Sequence, residues 1–306
     1  MDEIFRTPEE RFSAWKDYPF SPHYIEWEGL RMHYVDEGES TAPVMLLLHG
    51  MPTSSYLYRR MIPALVEAGY RCVAPDYIGF GKSDKVLDDG WYSIEKHSQS
   101  CGHLIAELDL RNVTLVCQDW GGPIGLRQAA DQSERFERLT IMNTWLHNPE
   151  HEYSPALREW NSLWHDGGAM EKIQGCGFVM QHQATRVSAG DTPLSAEELF
   201  EAYEAPFPDR ASKAGPRRFP LSLPFDNPEG GNAEVQRRCF EDLLAWSKPI
   251  HFIWGVLDDV FLEEWGRKWA SFYAQATFDT VDSGHFLQEF RGPEVVSLLL
   301  GRIGEE

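Results

Sequence analysis

Basic residues are scarce in this 306-residue chain. Lysine and arginine number 28 against 48 aspartates and glutamates, a formal net charge of −20. An acidic surface repels phosphate backbones and anionic headgroups, so neither nucleic acid nor a membrane is an expected partner. Cysteine is sparse too. Cys72, Cys101, Cys117, Cys176 and Cys239 form an odd set at irregular spacing. No pair has the spacing of metal ligands, so free thiols in a reducing compartment are expected, with no metal and no other cofactor. No apolar run reaches the length of a bilayer span. Residues Met1 to Arg6 carry neither a basic nor an apolar signal region, which makes the cytoplasm the expected address. Internal repeats and low-complexity tracts are also missing. An apolar content of 42% over this length suffices for the core of one large domain, or of a domain with an insertion.

The order of segments sets the fold class. His23 to Trp27 and Arg31 to Asp36, joined at Glu28-Gly29, predict antiparallel strands. Val44 to Leu48 is a continuous apolar run, as expected of a strand buried on both faces. A helix over Tyr56 to Glu67 is expected next, capped by Thr53 or Ser54 and closed at Gly69. Arg71 to Pro75 reads as a strand, Ser93 to Leu108 as a helix with Ser93 as its cap, and Leu139 to Asn143 as a later strand. This alternation predicts an α/β fold with a parallel sheet and right-handed crossovers. Gly79-x-Gly81-Lys82-Ser83 matches the end of a phosphate-binding loop, but Asp76 stands where its first glycine belongs, so a surface loop is expected instead. From Trp145 to Phe225 the alternation stops and prolines punctuate helical periodicity. This predicts a helical cap at 145–225 over the sheet's carboxyl edge, with 1–144 and 226–306 as the core domain. Strands resume at Ile250 to Gly255 and Phe278 to Asp282, and a helix near Pro293 to Leu300 ends the chain.

The chemistry concentrates at Val113-Thr114-Leu115-Val116-Cys117-Gln118-Asp119-Trp120-Gly121-Gly122. A short apolar strand runs into a turn whose flanks are small, which is the pattern of a nucleophile elbow. A serine there would attack a carbonyl after losing its proton. Aspartate is already ionised and can displace a leaving group from saturated carbon. Alone, such an aspartate is as easily a helix cap. Two further residues strengthen the catalytic reading. Asp258 lies three residues past the glycine closing Ile250 to Gly255, and His285 follows Ser283-Gly284 and is expected to open the last helix. Nucleophile, acid, histidine is the chain order of α/β hydrolases. All three fall at carboxyl ends of strands, where ligands gather in open α/β sheets. Main-chain N–H groups of Met51 and Trp120 are placed to form an oxyanion hole.

At these residues the sequence resembles the haloalkane dehalogenases. The resemblance rests on His49-Gly50-x-Pro52-Thr53-Ser54-Ser55-Tyr56-Leu57-Tyr58-Arg59, on Gln118-Asp119-Trp120-Gly121-Gly122, and on Gly284-His285-Phe286-Leu287-Gln288-Glu289. Ala205-Pro206-Phe207-Pro208-Asp209 and Arg218-Phe219-Pro220 extend it into the cap. It implies an α/β-hydrolase fold with an eight-stranded, mostly parallel sheet flanked by helices. It implies the subfamily whose acid follows the later strand. In the other subfamily a carboxylate follows the sixth strand, where this chain has Asn143. It also implies the roles. Asp119 attacks the halogen-bearing carbon, His285 activates a water against the resulting ester, Asp258 orients His285, and indole N–H groups hold the halide. Trp120 supplies one indole. Trp160, in Leu157-Arg158-Glu159-Trp160, is expected to supply the second, with Trp164 and then Trp145 as alternatives. The expected partners are a small halogenated alkane and the halide product, and the expected assembly is a monomer or homodimer. Two other functions share the pattern. An epoxide hydrolase needs cap tyrosines, for which Tyr153 and Tyr203 are available, and a non-catalytic binding protein needs none of this chemistry.

Overall fold

The computed structural model describes residues 3–165, 175–184 and 192–305. Its centre is an eight-stranded sheet of β2 (His23–Trp27), β3 (Leu30–Glu37), β4 (Val44–Leu48), β5 (Arg71–Pro75), β7 (Val113–Gln118), β8 (Phe136–Met142), β9 (Ile250–Gly255) and β10 (Ala276–Val281). The spatial order is β10-β9-β8-β7-β4-β5-β3-β2. The six strands from β10 to β5 pair in parallel, while β3 joins β5, and β2 joins β3, antiparallel. The continuous apolar run of β4 has a direct cause: Val44, Leu46 and Leu48 enter the core layer on one face, Met45 and Leu47 the layer on the other. After β4 the chain turns first to β5 and then crosses back to β7 on β4's other side. That reversal opens a crevice where β4 and β7 end, the place where open α/β sheets bind ligands.

A two-stranded sheet of β1 (Ile4–Phe5) and β6 (Lys85–Val86) lies apart from the main one. Helices α1 (Ile62–Glu67), α2 (Ile94–Glu107) and α3 (Gly121–Asp131) follow β4, β6 and β7. Ser93 caps α2, accepting from Lys96 N at 3.2 Å. The single helix expected over Tyr56 to Glu67 is instead a 3-10 turn at Ser55–Tyr58, capped by Ser54, followed by α1. Pro63 is the reason. Inside one long helix it would lack a donor and collide with the preceding turn, so it sits in the first turn of a new one.

Between β8 and β9 the described residues form α4 (Pro155–His165), α5 (Cys176–Ala184), α6 (Ala196–Glu204), α7 (Ala214–Arg218) and α8 (Ala233–Leu243), with no strand. Residues 166–174 and 185–191 of the 145–225 segment lie outside the described residues. Helix α9 (Glu263–Ala270) separates β9 from β10, and α10 (Leu287–Gly304) ends the fold with a break at Arg291. His285 does not open α10, as the sequence suggested. It lies two residues before it, with Phe286 at the N-cap.

All five cysteines are buried free thiols. The glycine-rich loop after β5 closes on its own carboxylate. Asp76 accepts from Ser55 N at 2.7 Å and Lys82 N at 2.8 Å, and its other contact is His33 Nδ1 at 2.8 Å. In the loop itself Lys82 N is thus engaged, and the N–H groups of Gly79, Phe80 and Ser83 donate to carbonyls of the same turn. Among the described residues no helix is long and apolar enough to cross a membrane, and no three ligating side chains are grouped to hold a metal ion.

Candidate active site

Asp119 stands between β7 and α3 at φ 51°, a left-handed conformation that a non-glycine residue rarely adopts. The surrounding backbone enforces it. Asp119 N donates to Asn143 O at 3.0 Å, and Asp119 O accepts from Gly122 N at 2.9 Å and Thr144 Oγ1 at 2.5 Å. The small flanks are a packing demand. A Cβ on Gly121 would lie 2.3 Å from Leu48 O, and one on Gly50 would lie 2.0 Å from Asp119 Oδ1. Backbone strain of this kind persists where the fold over-determines it, as at sites of reaction.

Gly50 lets the segment after β4 pass against the carboxylate. Met51 N then donates to Asp119 Oδ1 at 2.7 Å. The Trp120 main-chain N–H, at the head of α3, makes no hydrogen bond among the described residues. The two main-chain donors expected from the sequence thus flank Asp119, one engaged and one open.

On its other oxygen, Asp119 Oδ2 lies 3.6 Å from His285 Nε2. His285 Nδ1 is 2.8 Å from Asp258 Oδ2. The three residues separated widely in sequence are thus brought into line, and each is over nine-tenths buried. Asp258 is held in turn: Val260 N donates to Oδ1 at 2.8 Å, and Asn143 Nδ2 to Oδ2 at 2.8 Å. Asn143 also bridges to β9, accepting from Gly255 N at 2.7 Å and donating to Gly255 O at 3.1 Å. Sequence reasoning saw Asn143 only as a position lacking an acid. In the fold its amide clamps the acid that comes from the next strand. Gln118, at the end of β7, is a second residue it missed. Its Nε2 lies 2.9 Å from His285 Nε2 and donates to His285 O at 3.1 Å.

Burial by itself lowers the proton affinity of His285. The facing carboxylates of Asp258 and Asp119 outweigh that and raise its pKa to about 10.

The site opens into a cavity of about 210 Å³. Asp119 and His285 lie in its wall, as do Met51, Trp120, Trp145 and Trp160. Trp164 is outside that wall; its Nε1 is buried without a partner, and its ring packs edge-on against Trp160 at 5.5 Å. Trp145 stacks on Phe261, and its Nε1 is buried without a hydrogen-bond partner. In the cavity wall the Trp120, Trp145 and Trp160 indoles make no hydrogen bond among the described residues. Neither tyrosine nor arginine lines it among the described residues. Tyr203 donates instead to Glu289 at 2.6 Å, and Tyr153 pairs with His147 at 2.8 Å.

Comparison with known proteins agrees with this architecture. The family defined by the α/β hydrolase fold matches residues 43–292. Within that class, a haloalkane dehalogenase from Psychrobacter cryohalolentis is 37% identical, over 97% of both chains. A tetrameric haloalkane dehalogenase from Paraglaciecola agarilytica superposes with a TM-score of 0.84, at 36% identity and over 97% of both chains. A cis-3-alkyl-4-alkyloxetan-2-one decarboxylase from Shewanella oneidensis is 32% identical, over 91% of this chain and 87% of its own. This chain belongs to the haloalkane dehalogenase family.

Proposed function

We propose that this chain hydrolyses the carbon–halogen bond of small haloalkanes through an ester on Asp119, with 145–225 as the cap that closes the cavity. The observation that carries the reading is a buried carboxylate with no arginine or lysine against it among the described residues, at the wall of an apolar cavity that also presents unpaired indole N–H groups. A halide accepts hydrogen bonds and donates none, and indole is a donor with no acceptor.

The two oxygens of Asp119 have different surroundings and take different parts. Oδ1, held by Met51 N, becomes the ester carbonyl oxygen. Oδ2 attacks carbon in line, the carbon–halogen bond breaks, and the halide leaves with the bonding pair toward Trp120 and Trp160. A water then approaches the ester carbon. His285 Nε2 takes one of its protons as the new C–O bond forms, and Asp258 stabilises the imidazolium. Negative charge collects on Oδ1, between the N–H groups of Met51 and Trp120. Collapse of this intermediate breaks the bond from the Asp119 carbon to the alkoxy oxygen, and alcohol, halide and proton leave.

The test is halide release from terminal chloro-, bromo- and iodoalkanes, beside assays for diol from epoxides and for carbon dioxide from β-lactones. Halide release with neither other activity is the expected result. Absence of halide release from every haloalkane would remove the reading. An epoxide hydrolase needs acidic hydroxyls over the carboxylate, and the hydroxyls of Tyr153 and Tyr203 are engaged elsewhere.

Trp160→Phe keeps the bulk and removes the donor. A hydrogen bond to a charged partner contributes about 1.5–3 kcal/mol, so halide affinity, read from quenching of tryptophan fluorescence, should fall roughly 10- to 150-fold. Trp164→Phe should leave it unchanged. The reverse result would assign the second indole to Trp164.

A further inference from the structure

Gln118 carries a function that the two-step scheme leaves unassigned. Its side chain is wholly buried at the end of β7, one residue before the nucleophile. Its Nε2 donates to the His285 carbonyl at 3.1 Å and lies 2.9 Å from His285 Nε2, while its Oε1 is buried without a partner. The orientation of a carboxamide is inferred from its hydrogen bonds, and here the carbonyl decides it. Turning the amide over would set two oxygens 3.1 Å apart and strand two N–H donors in the space Oε1 now occupies. Leaving buried donors unpaired is costly, about 1–3 kcal/mol each.

An N–H therefore points at Nε2 of the ring, and an N–H requires a lone pair opposite. Nε2 must be unprotonated for this contact to be attractive. The ring proton then sits on Nδ1, where Asp258 Oδ2 accepts it at 2.8 Å. In the imidazolium, two donors would face each other at 2.9 Å.

We propose that Gln118 is a positioning residue for the hydrolytic step: its amide, aimed by the His285 carbonyl, holds the imidazole as the neutral Nδ1–H tautomer with its Nε2 lone pair turned toward the ester. This rests on the ester mechanism proposed above. The charged groups facing the ring are Asp258 from the loop after β9 and Asp119 from the elbow, while Asp259 and His182 of α5 line the same cavity. The carboxylates favour the imidazolium. Esterification of Asp119 removes one of them, and the amide donor of Gln118 then decides the balance toward the base.

The test separates the two chemical steps. Gln118→Met retains length and removes the donor. Gln118→Glu retains shape and replaces the donor with an anion that favours the imidazolium. In Gln118→Met the acid limb of the kcat–pH profile should move up by about one pH unit, so kcat in the acid limb falls about tenfold, and further in Gln118→Glu. kcat/KM and the burst of halide should change less than twofold, because ester formation does not use the base. Equal falls in kcat and kcat/KM, or an unmoved acid limb, would overturn the proposal. If neither variant folds, Gln118→Asn decides, because its shorter side chain keeps a carboxamide but withdraws the donor from Nε2: an acid limb moved up supports Gln118, and an unmoved one overturns the proposal. A His285→Gln variant that shows no burst and no ester fails the mechanism itself, a result distinct from failure of the Gln118 proposal.

Discussion

His285→Gln is expected to release one equivalent of halide per active site and then stall. Ester formation needs an ionised Asp119 and a place for the halide, and neither depends on the imidazole. Hydrolysis needs a base within reach of a water at the ester, and Nε2, 3.6 Å from Asp119 Oδ2, is the group so placed. A positioned general base contributes about 10²- to 10⁴-fold, so the steady rate should fall by that factor while the burst survives. Mass spectrometry should find the Asp119 peptide heavier by one alkyl group. If every haloalkane leaves that peptide unmodified, Asp119 is not the nucleophile.

The same geometry fixes the sign of the pH dependence. With Asp119 ionised, His285 lies between two carboxylates and its pKa is raised to about 10. The two carboxylates draw a proton onto the resting ring against the opposition of the Gln118 amide, and a protonated ring does not hinder an attack made by Asp119. Alkylation turns Asp119 into a neutral ester. One of the two anions disappears, the ring's proton affinity falls, and the base becomes available at the stage that uses it. kcat/KM, which reports on the free enzyme up to its first irreversible step, should stay level between about pH 6 and pH 9. kcat should fall tenfold per unit on the acid side of the ester-state pKa. The imidazolium's salt link also stabilises the fold. Because the folded pKa is raised, that contribution is present below the unfolded value and is lost as pH rises through about 10.

How much of this was legible in the sequence follows from the range of the interactions involved. Strand β4 coincides with its apolar run because both of its faces are buried and composition marks it, and β5 and β9, read as strands with the same bounds, are buried on both faces as well. The elbow was legible because its demand is local: strand, small residues and nucleophile lie within ten positions. The two-residue strands β1 and β6 were not, since a pair that short has no period, and the amphipathic helices α8 and α9 were not singled out. Asn143 and Gln118 were beyond reach for another reason. Asn143 meets its partners 112 and 115 residues away, and Gln118 meets His285 167 residues away. An amide has no charge or spacing that signals such a duty. The tryptophans divide along the same line. Helical spacing put Trp160 and Trp164 on one face of α4, but only packing places the first in the cavity wall and the second outside it.

Glu289→Gln should destabilise the protein by about 3–5 kcal/mol, the cost of leaving one member of a buried ion pair without its counter-charge. Arg59 donates to both oxygens of Glu289, at 2.5 and 2.6 Å, and neither side chain is exposed. Glu289 also accepts from Tyr203 of α6 at 2.6 Å and from Thr192 at 3.2 Å. One carboxylate thus joins the 3-10 turn after β4, the start of α10 and the helical segment between β8 and β9. Burial opposes ionisation of Glu289, and the facing guanidinium overcomes it, holding the pKa below the ordinary carboxylate value. A depressed pKa gives stability above the unfolded value that is lost as pH falls through the folded one, so the wild type should lose this increment in acid and Glu289→Gln should not. Arg59→Met combined with Glu289→Leu removes both charges at once. It should recover part of the loss, although the Tyr203 hydroxyl is left without its acceptor. Urea unfolding of the wild type, both single variants and the pair gives the coupling energy directly. A double variant as unstable as the sum of its parts would mean that the two charges act independently and that packing, rather than the ion pair, ties α6 to the core.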